Sequence, residues 1–172
     1  AQGNRQRDRR AGAVLAGMPQ KDDIAPANVF QNSAIQYKFP SIKTVCKRLE
    51  NTVFRPSWIR TPGRMQNTYA NECFMDELAA EAKADPIAFR KKYLDDKRGL
   101  ELIERLAALS KWQSRPSPDG SQSGDVLKGR GMSYVKYELT RTYVGSVADV
   151  EVNRTTGKVR VPRFYLVQDC GQ

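Results

Sequence analysis

The stretch of sequence that decides the fold is WIRTPGRMQNTYANECFMDELA, residues 58–79. Its first part contains a turn sequence, because Pro62 fixes its own φ and favours an extended conformation at Thr61, whereas Gly63 accepts left-handed geometry. Its second part has apolar residues at spacings of three and four, which is the pattern of an amphipathic helix. Together these features predict that a rigid turn presents Arg60 directly before a helix.

The helix predicted after this turn extends over residues 66–83. Its apolar positions form one stripe, made up of Tyr69, Ala70, Cys73, Phe74, Leu78 and Ala82. Such a stripe is typical of a helix that lies with one face against a core. Because Cys73 falls on the stripe, we interpret its thiol as a small core residue.

Two more helices are predicted. Asp85 is a good N-cap for the second, and Pro86 suits its first position, where a backbone N–H would have no partner. The apolar residues of that helix are Ile87, Phe89 and Leu94. The third helix, residues 98–111, has an apolar face formed by Leu100, Ile103, Leu106 and Ala107. Trp112 is expected to pack at its end.

The remaining regular segments are predicted strands. Residues 35–39 alternate apolar and polar side chains, and residues 42–49 give a second, less regular strand that Val53 and Phe54 could extend. After the third helix the hydrophobic period changes to two, which predicts strands at 131–139, 143–153 and 158–168. Thr155-Thr156-Gly157 supplies a hairpin turn between the last two. The fold class is therefore α+β, with strands and three helices followed by an antiparallel sheet segment.

Composition divides the chain into four segments. Residues 1–26 are polar and Arg-rich, and we expect a flexible basic N-terminal arm. Residues 27–112 form the strand–helix part of a domain. Residues 113–128 include RPSPDGSQSG, which predicts a linker, and residues 129–172 form a β-rich segment that begins a second domain.

The residues capable of holding a metal are few. The chain has three widely spaced cysteines, no CxxC pair and no histidine. This composition excludes an iron–sulfur cluster, a zinc site or a Ser-His-Asp triad carried within the chain itself. The sequence also has no apolar run that approaches the length of a membrane span.

Several short motifs follow the turn in a fixed order. They are DPIAFR (85–90), KW (111–112), GRGM (129–132), VADVEV (147–152), TGKVRV (156–161) and DCG (169–171). In this order they resemble the large, molybdenum-binding subunit of the xanthine oxidase family, and the isoquinoline 1-oxidoreductase beta-subunit type most nearly. The resemblance covers roughly residues 35 to 172. It implies that this α+β chain is part of a larger molybdopterin-binding fold.

The resemblance also implies a function. Subunits of this family hold molybdopterin, a pterin dithiolene that bears a phosphate or a cytosine dinucleotide. They oxidise aldehydes or N-heteroaromatics with water-derived oxygen, and electrons leave through the clusters of an iron–sulfur subunit. The family's subunits are several times longer, and their catalytic glutamate lies in a region beyond Gln172. We therefore expect this chain to be a fragment that depends on the remaining parts of the molybdenum subunit. Alone it would hold no cofactor, supply no catalytic residue and be inactive.

One residue of the cofactor site can be carried over from the family. An arginine before a glycine-containing turn contacts the molybdenum centre there, and Arg60 is the matching residue. The resemblance thus implies cofactor binding by Arg60, with the backbone of Ile59, Thr61 and Gly63 lining the site. A planar guanidinium suits an oxo group or a phosphate. Pro62 stands where xanthine oxidases have an aromatic residue that packs on a purine, which argues against a purine substrate.

Three carboxylates on the first helix are further candidates. Glu72, Asp76 and Glu77 are spaced so that they could share a helix face and act as acid–base groups. We favour a structural role for them. Because they follow a turn, the expected roles are dipole compensation, capping and helix packing.

Two other classes of function are alternatives. A non-catalytic interaction or scaffold domain could keep this fold without the cofactor. A nucleic-acid-binding protein would suit the net charge of +10 and the sequence pI near 9.7. However, four arginines lie in the N-terminal arm, and most later basic residues are interspersed with acidic ones. We therefore expect no nucleic-acid partner, and the basic surface suits an acidic partner subunit equally well.

Overall fold

The computed structural model describes residues 32–47, 60–61, 63–114, 120–138 and 141–171. Within these ranges, three helices precede three strands. The helices are α1 (Arg64–Glu81), α2 (Pro86–Lys92) and α3 (Lys97–Ser110), and the strands are β1 (Val126–Tyr137), β2 (Thr142–Asn153) and β3 (Val159–Asp169). The α+β class predicted from the change of hydrophobic period is confirmed.

The strands form one antiparallel sheet in the order β1-β2-β3. Val147 at the centre of β2 pairs with Met132 on one side and Tyr165 on the other. In the β2–β3 turn, the Asn153 side chain accepts a backbone N–H at 2.8 Å, and Gly157 has a φ of 66°. Glycine adopts this φ without steric cost. The predicted hairpin is therefore confirmed.

Strand β1 begins earlier than its sequence pattern predicts. It starts at Val126, five residues before the predicted residue 131 and inside the segment 113–128. Val126 pairs with Asn153 at the far end of β2, so the length of β2 sets the start of β1. The division of the chain at 113–128 into two domains stays a prediction.

One face of the sheet packs against the helices and forms a core with them. Helix α3 contributes Leu102, Ile103 and Leu106, all buried. Gly145 of β2 lies beneath this helix, where an added Cβ would be 2.7 Å from Leu102 and 3.0 Å from Leu106. The absence of a side chain therefore lets α3 approach the sheet. The predicted face of α3 is right for Ile103 and Leu106, but Leu100 is only partly buried.

The strands predicted at 35–39 and 42–49 are wrong where the structure describes them. Residues 32–47 contain turns, bends and irregular backbone. Tyr37 is buried, but the Lys38 N–H donates to the Tyr93 carbonyl at 2.8 Å, and the Gln36 side chain donates to the Tyr134 carbonyl. The alternating burial of this segment results from individual residues that contact the helices and β1. Residues 48–49 and 53–54 lie outside the described ranges.

The first helix is confirmed, but its predicted apolar stripe is wrong. Tyr69 and Phe74 are 74% and 57% exposed, and Cys73 is exposed as well. Ala70 and Ala82 are likewise exposed, whereas Leu78 is partly buried. The buried positions beyond the first turn are Glu72, Met75 and Ala79. This face carries two residues of the hydrophobic core, Met75 and Ala79, together with Glu72, which pairs with the buried Arg90 of α2.

The second helix starts as predicted. The Asp85 carboxylate accepts the N–H groups of Ile87 and Ala88, both at 3.0 Å, and Pro86 occupies the first turn. The same carboxylate accepts the Trp112 indole N–H at 2.9 Å. This bond fixes the chain after α3 against the start of α2, and it confirms that Trp112 packs at the end of the third helix.

Candidate functional site

The turn before α1 carries the residues predicted to bind the cofactor. Arg60 and Thr61 are exposed, and the Arg64 N–H donates to the Thr61 carbonyl at 3.0 Å. Thr61 has a φ of 64°, so the extended conformation predicted for it is wrong. A positive φ in a β-branched residue is strained, and such strain is common at binding sites. Ile59 and Pro62 lie outside the described residues.

Gly63 forms the N-cap of α1. Its φ of 67° and ψ of −19° confirm the left-handed geometry expected of it. The helix has no side-chain cap and no acidic residue in its first turn. The positive end of the helix dipole therefore favours an anion at this end. Arg60 adds a positive charge three positions before Gly63 along the chain.

Arg64, the first residue of α1, was missed by the sequence reasoning. Its side chain is 3% exposed, and its Nη2 donates to the Asn32 side-chain oxygen at 3.0 Å. Its Nε and Nη1 are buried without a hydrogen-bond partner in the structure. Burial lowers the pKa of the Arg64 guanidinium. A basic residue at a helix position that usually favours acidic ones was the available sequence signal.

Glu72 lies about two helical turns after Arg64, and its carboxylate oxygens already accept several hydrogen bonds. It is 4% exposed and accepts hydrogen bonds from Arg90 Nε (3.0 Å), Tyr37 Oη (2.9 Å) and the Tyr134 N–H (2.9 Å). Gln36 also donates to it at 3.1 Å. Burial raises the pKa of Glu72, and Arg90 and the N–H of Tyr134 oppose that increase. With its oxygens committed in this way, this carboxylate holds elements together.

The other two candidate carboxylates are arranged differently. Asp76 is half-buried and accepts from Arg90 Nη1 at 2.6 Å, whereas Glu77 is exposed. The helix-packing role expected for Glu72 and Asp76 is confirmed. The capping role is wrong, because Glu72 is the ninth residue of α1. The three carboxylates therefore do not form an acid–base group.

The turn and the Glu72 network are separate places on the same helix. Glu72 lies nine positions after Gly63, which is roughly 13 Å along the helix axis. In the part of the chain that the structure describes, no group of three or more His, Cys, Asp or Glu side chains could hold a metal ion. None of the helices in the described ranges has both the length and the hydropathy of a bilayer-crossing segment.

Comparison with known proteins gives consistent matches. Residues 12–94 match the molybdopterin cofactor-binding domain family. The chain is 39% identical over 124 residues to a nicotinate dehydrogenase subunit of Pseudomonas putida, which covers 68% of this chain and 10% of that protein. It is 30% identical over 115 residues to the beta subunit of isoquinoline 1-oxidoreductase of Brevundimonas diminuta, which covers 66% of this chain and 14% of that protein.

A third relative carries a different cofactor in its name. The chain is 26% identical over 148 residues to the membrane-bound aldehyde dehydrogenase (pyrroloquinoline-quinone) of Gluconacetobacter polyoxogenes. This match covers 76% of the chain and 18% of that protein. The matched segment thus spans between a tenth and a fifth of the length of these three relatives.

Proposed function

Because this chain belongs to the molybdenum-cofactor-binding subunits of the xanthine oxidase family, we propose that the complete protein is a molybdenum hydroxylase. Its substrates would be aldehydes or N-heteroaromatics, and its electrons would leave through an iron–sulfur subunit. The names of the relatives, which include nicotinate, isoquinoline and aldehyde, support these substrate classes. The cofactor would be molybdopterin, in its phosphate or its cytosine dinucleotide form.

Within this function, the proposed role of the chain is to bind the cofactor at the start of α1. Arg60 would donate to the cofactor or its oxo group, and the backbone of Ile59, Thr61 and Gly63 would line the site. The observation that carries this proposal is the basic N-terminal end of α1, which has no side-chain cap and no acidic residue in its first turn. The orphaned N–H groups of Arg64 beside it add to the positive charge. These features fit an anionic group.

The residues of this chain would act by positioning. When bound, the molybdenum centre supplies the two-electron oxidation that places a water-derived oxygen on carbon. Arg60 would hold an anionic oxygen through charge-assisted hydrogen bonds, which are about twice as strong as neutral ones. Glu72 does not act as the base, because its oxygens already accept from Arg90, Tyr37 and Tyr134. The base would come from outside this chain.

The test is Arg60→Lys in the complete enzyme with its partner subunit. Lysine keeps the charge but loses the planar fork, so a neutral result is not expected. Losing one charge-assisted bond costs about 1.5–3 kcal/mol, so turnover or cofactor retention should fall roughly ten- to a hundred-fold. Arg105→Lys is the matched control, because Arg105 is exposed and pairs only with Glu101 among the described residues. Normal molybdenum content together with normal turnover would remove Arg60 from the site.

Metal analysis of the complete protein tests the function itself. Stoichiometric molybdenum supports a hydroxylase, and its absence from a protein purified with its partner subunit would favour a scaffold role. The 172-residue chain alone should not oxidise an aldehyde or an N-heterocycle with an artificial electron acceptor. Turnover by the chain alone would contradict the proposal that the base lies elsewhere.

A further inference from the structure

Arg64 is a buried cation with no counter-charge in the ranges that the structure describes. Nε and both hydrogens of Nη1 are unpaired, which is three of the five N–H groups of an arginine. The one side-chain bond it makes is to a neutral amide, that of Asn32, at 3.0 Å. Burial of an unpaired charge is costly, because the charge gives up its hydration and gains little in return.

The hydrogen bonds next to this guanidinium involve neutral amide and backbone groups. Asn32 also accepts the Glu138 backbone N–H at 3.3 Å through its side-chain oxygen, and its carbonyl accepts from the Asn67 side chain at 2.9 Å. The N-terminal end of α1, with the positive end of its dipole, begins at Arg64 itself. Two positive contributions to the local electrostatic potential therefore favour an anion: the end of the helix dipole and the Arg64 guanidinium.

The same fold fully compensates its other buried arginine. Every nitrogen of the Arg90 guanidinium has an acceptor, and two carboxylates, those of Glu72 and Asp76, face it. A missing counter-charge is therefore not a general property of this core. Among the described residues it is found at the start of α1, where Nε and Nη1 of Arg64 have no hydrogen-bond partner.

We propose that Arg64 is an oxyanion-binding residue that takes a phosphate group. Phosphate is favoured over a carboxylate because it offers three strong acceptor oxygens to the three unpaired N–H groups, and because helix N-termini bind phosphate through backbone N–H groups. This role rests on the anion site proposed above for the start of α1, but it uses a donor other than Arg60 and does not require molybdenum. It holds for any phosphate-bearing ligand, and inorganic phosphate is the probe for it.

The experiment measures the melting temperature of the 172-residue chain while inorganic phosphate is titrated at constant ionic strength. A ligand that binds only the folded state raises Tm by mass action. Near Tm the chain unfolds and refolds repeatedly, so a ligand can reach a site that is buried in the folded state. We expect a rise of at least about 2 °C in the wild type, a shift typical of a modest stability gain at this size. In Arg64→Met the phosphate-specific rise should be lost. Its Tm without phosphate should equal or exceed that of the wild type, because an unpaired charge has been removed.

Two controls decide between the outcomes. Arg105→Met, at an exposed site, measures the general stabilisation that excluded salts give any protein. Acetate at the same ionic strength tests a carboxylate in place of phosphate. An equal response to acetate would overturn the assignment to phosphate. A phosphate response unchanged in Arg64→Met, or no response in the wild type, would overturn the site itself.

A direct readout is the Nε–H resonance of Arg64 in the same titration. It should shift with phosphate and with the same midpoint as the rise in Tm. The resonance of Arg90 Nε, which donates to Glu72 at 3.0 Å, should stay in place. Shifts of equal size at both arginines would indicate a general salt effect and would overturn the proposal.

Discussion

The two buried arginines at α1 have opposite surroundings. Arg90, from α2, is 0% exposed and lies against the middle of α1, where Glu72, Asp76 and carbonyl oxygens surround its guanidinium. Arg64, at the first position of α1, is almost as deeply buried and has only the Asn32 amide as a side-chain partner among the described residues. Burial alone therefore says little about whether a charge stabilises a fold. What matters is whether the fold brings acceptors and a counter-charge to the buried group.

The difference separates a structural region from a binding region on one helix. The middle of α1 joins α2, β1 and the segment around Tyr37 through Glu72. At the start of α1, buried nitrogens of Arg64 have no hydrogen-bond partner among the described residues. Compensated charges fix the architecture, whereas an uncompensated one indicates where another group belongs.

The largest effect is expected from Arg90→Met. This change leaves the Glu72 carboxylate buried without its cation, and breaking such a pair typically costs about 3–5 kcal/mol. Urea denaturation of the chain should show this as a large fall in the free energy of unfolding. Arg105→Met should change it by less than about 1 kcal/mol, because that arginine is in an exposed pair with Glu101. Equal losses in the free energy of unfolding for the two variants would contradict the idea that Arg90 compensates a buried charge.

A smaller loss is expected from Glu72→Gln. Glutamine keeps the shape, but its NH₂ group would face donors that now face a carboxylate oxygen, and the charge-assisted bond to Arg90 is lost. The cost should be about 1.5–3 kcal/mol. Glu77→Gln, on the exposed side of the same helix, is the control and should be close to neutral. A Glu72→Gln variant as stable as the Glu77→Gln variant would show that the network does not need the charge.

Asn32→Asp should raise the stability of the chain, in contrast to the two variants above. It places a carboxylate at the oxygen that now accepts from Arg64 at 3.0 Å, and so gives this arginine a counter-charge of its own. A charge-assisted bond in place of a neutral one should raise the free energy of unfolding by on the order of 1 kcal/mol. Asn153→Asp, in the β2–β3 turn, keeps the acceptor for Thr156 and serves as the control. A loss of stability in Asn32→Asp alone would show that Arg64 does not lack a counter-charge.

The smallest effect on stability is expected for the partly exposed ion pair between Arg98 and Asp169. The hydrogen bond from Arg98 and the Gly171 N–H lower the pKa of Asp169 from 3.8 to about 2. Because the folded-state pKa lies below the unfolded one, the stability this carboxylate contributes is present above about pH 4 and is lost as the pH falls towards 2. A carboxyl ¹³C titration of the chain should locate this pKa, and Asp169→Asn should be insensitive to pH in the same window. A midpoint near the ordinary value would contradict the pairing.

The sequence predicted those local features that depend on a few neighbouring residues. The Asp85 cap, the Gly63 conformation and the β2–β3 hairpin each follow from the chemistry of the residues at those positions, and all are confirmed. The predicted strands at 35–39 and 42–47 failed because alternation describes burial and not a hydrogen-bonded partner. Of the candidate site, Arg60 was found through a family resemblance. Its contact with a cofactor stays a prediction.

By itself, the sequence determined the three helices, the three strands that follow them, the β2–β3 turn and the family to which the chain belongs. These follow from hydrophobic period, from capping and turn residues and from short motifs in a fixed order. Only the tertiary structure decided which face of α1 is buried, since Glu72 is brought to Arg90 across 18 residues and to Tyr134 across 62. The same is true of Arg64. Whether a charge is satisfied depends on groups that are distant in the chain, and no local pattern encodes the distance between them.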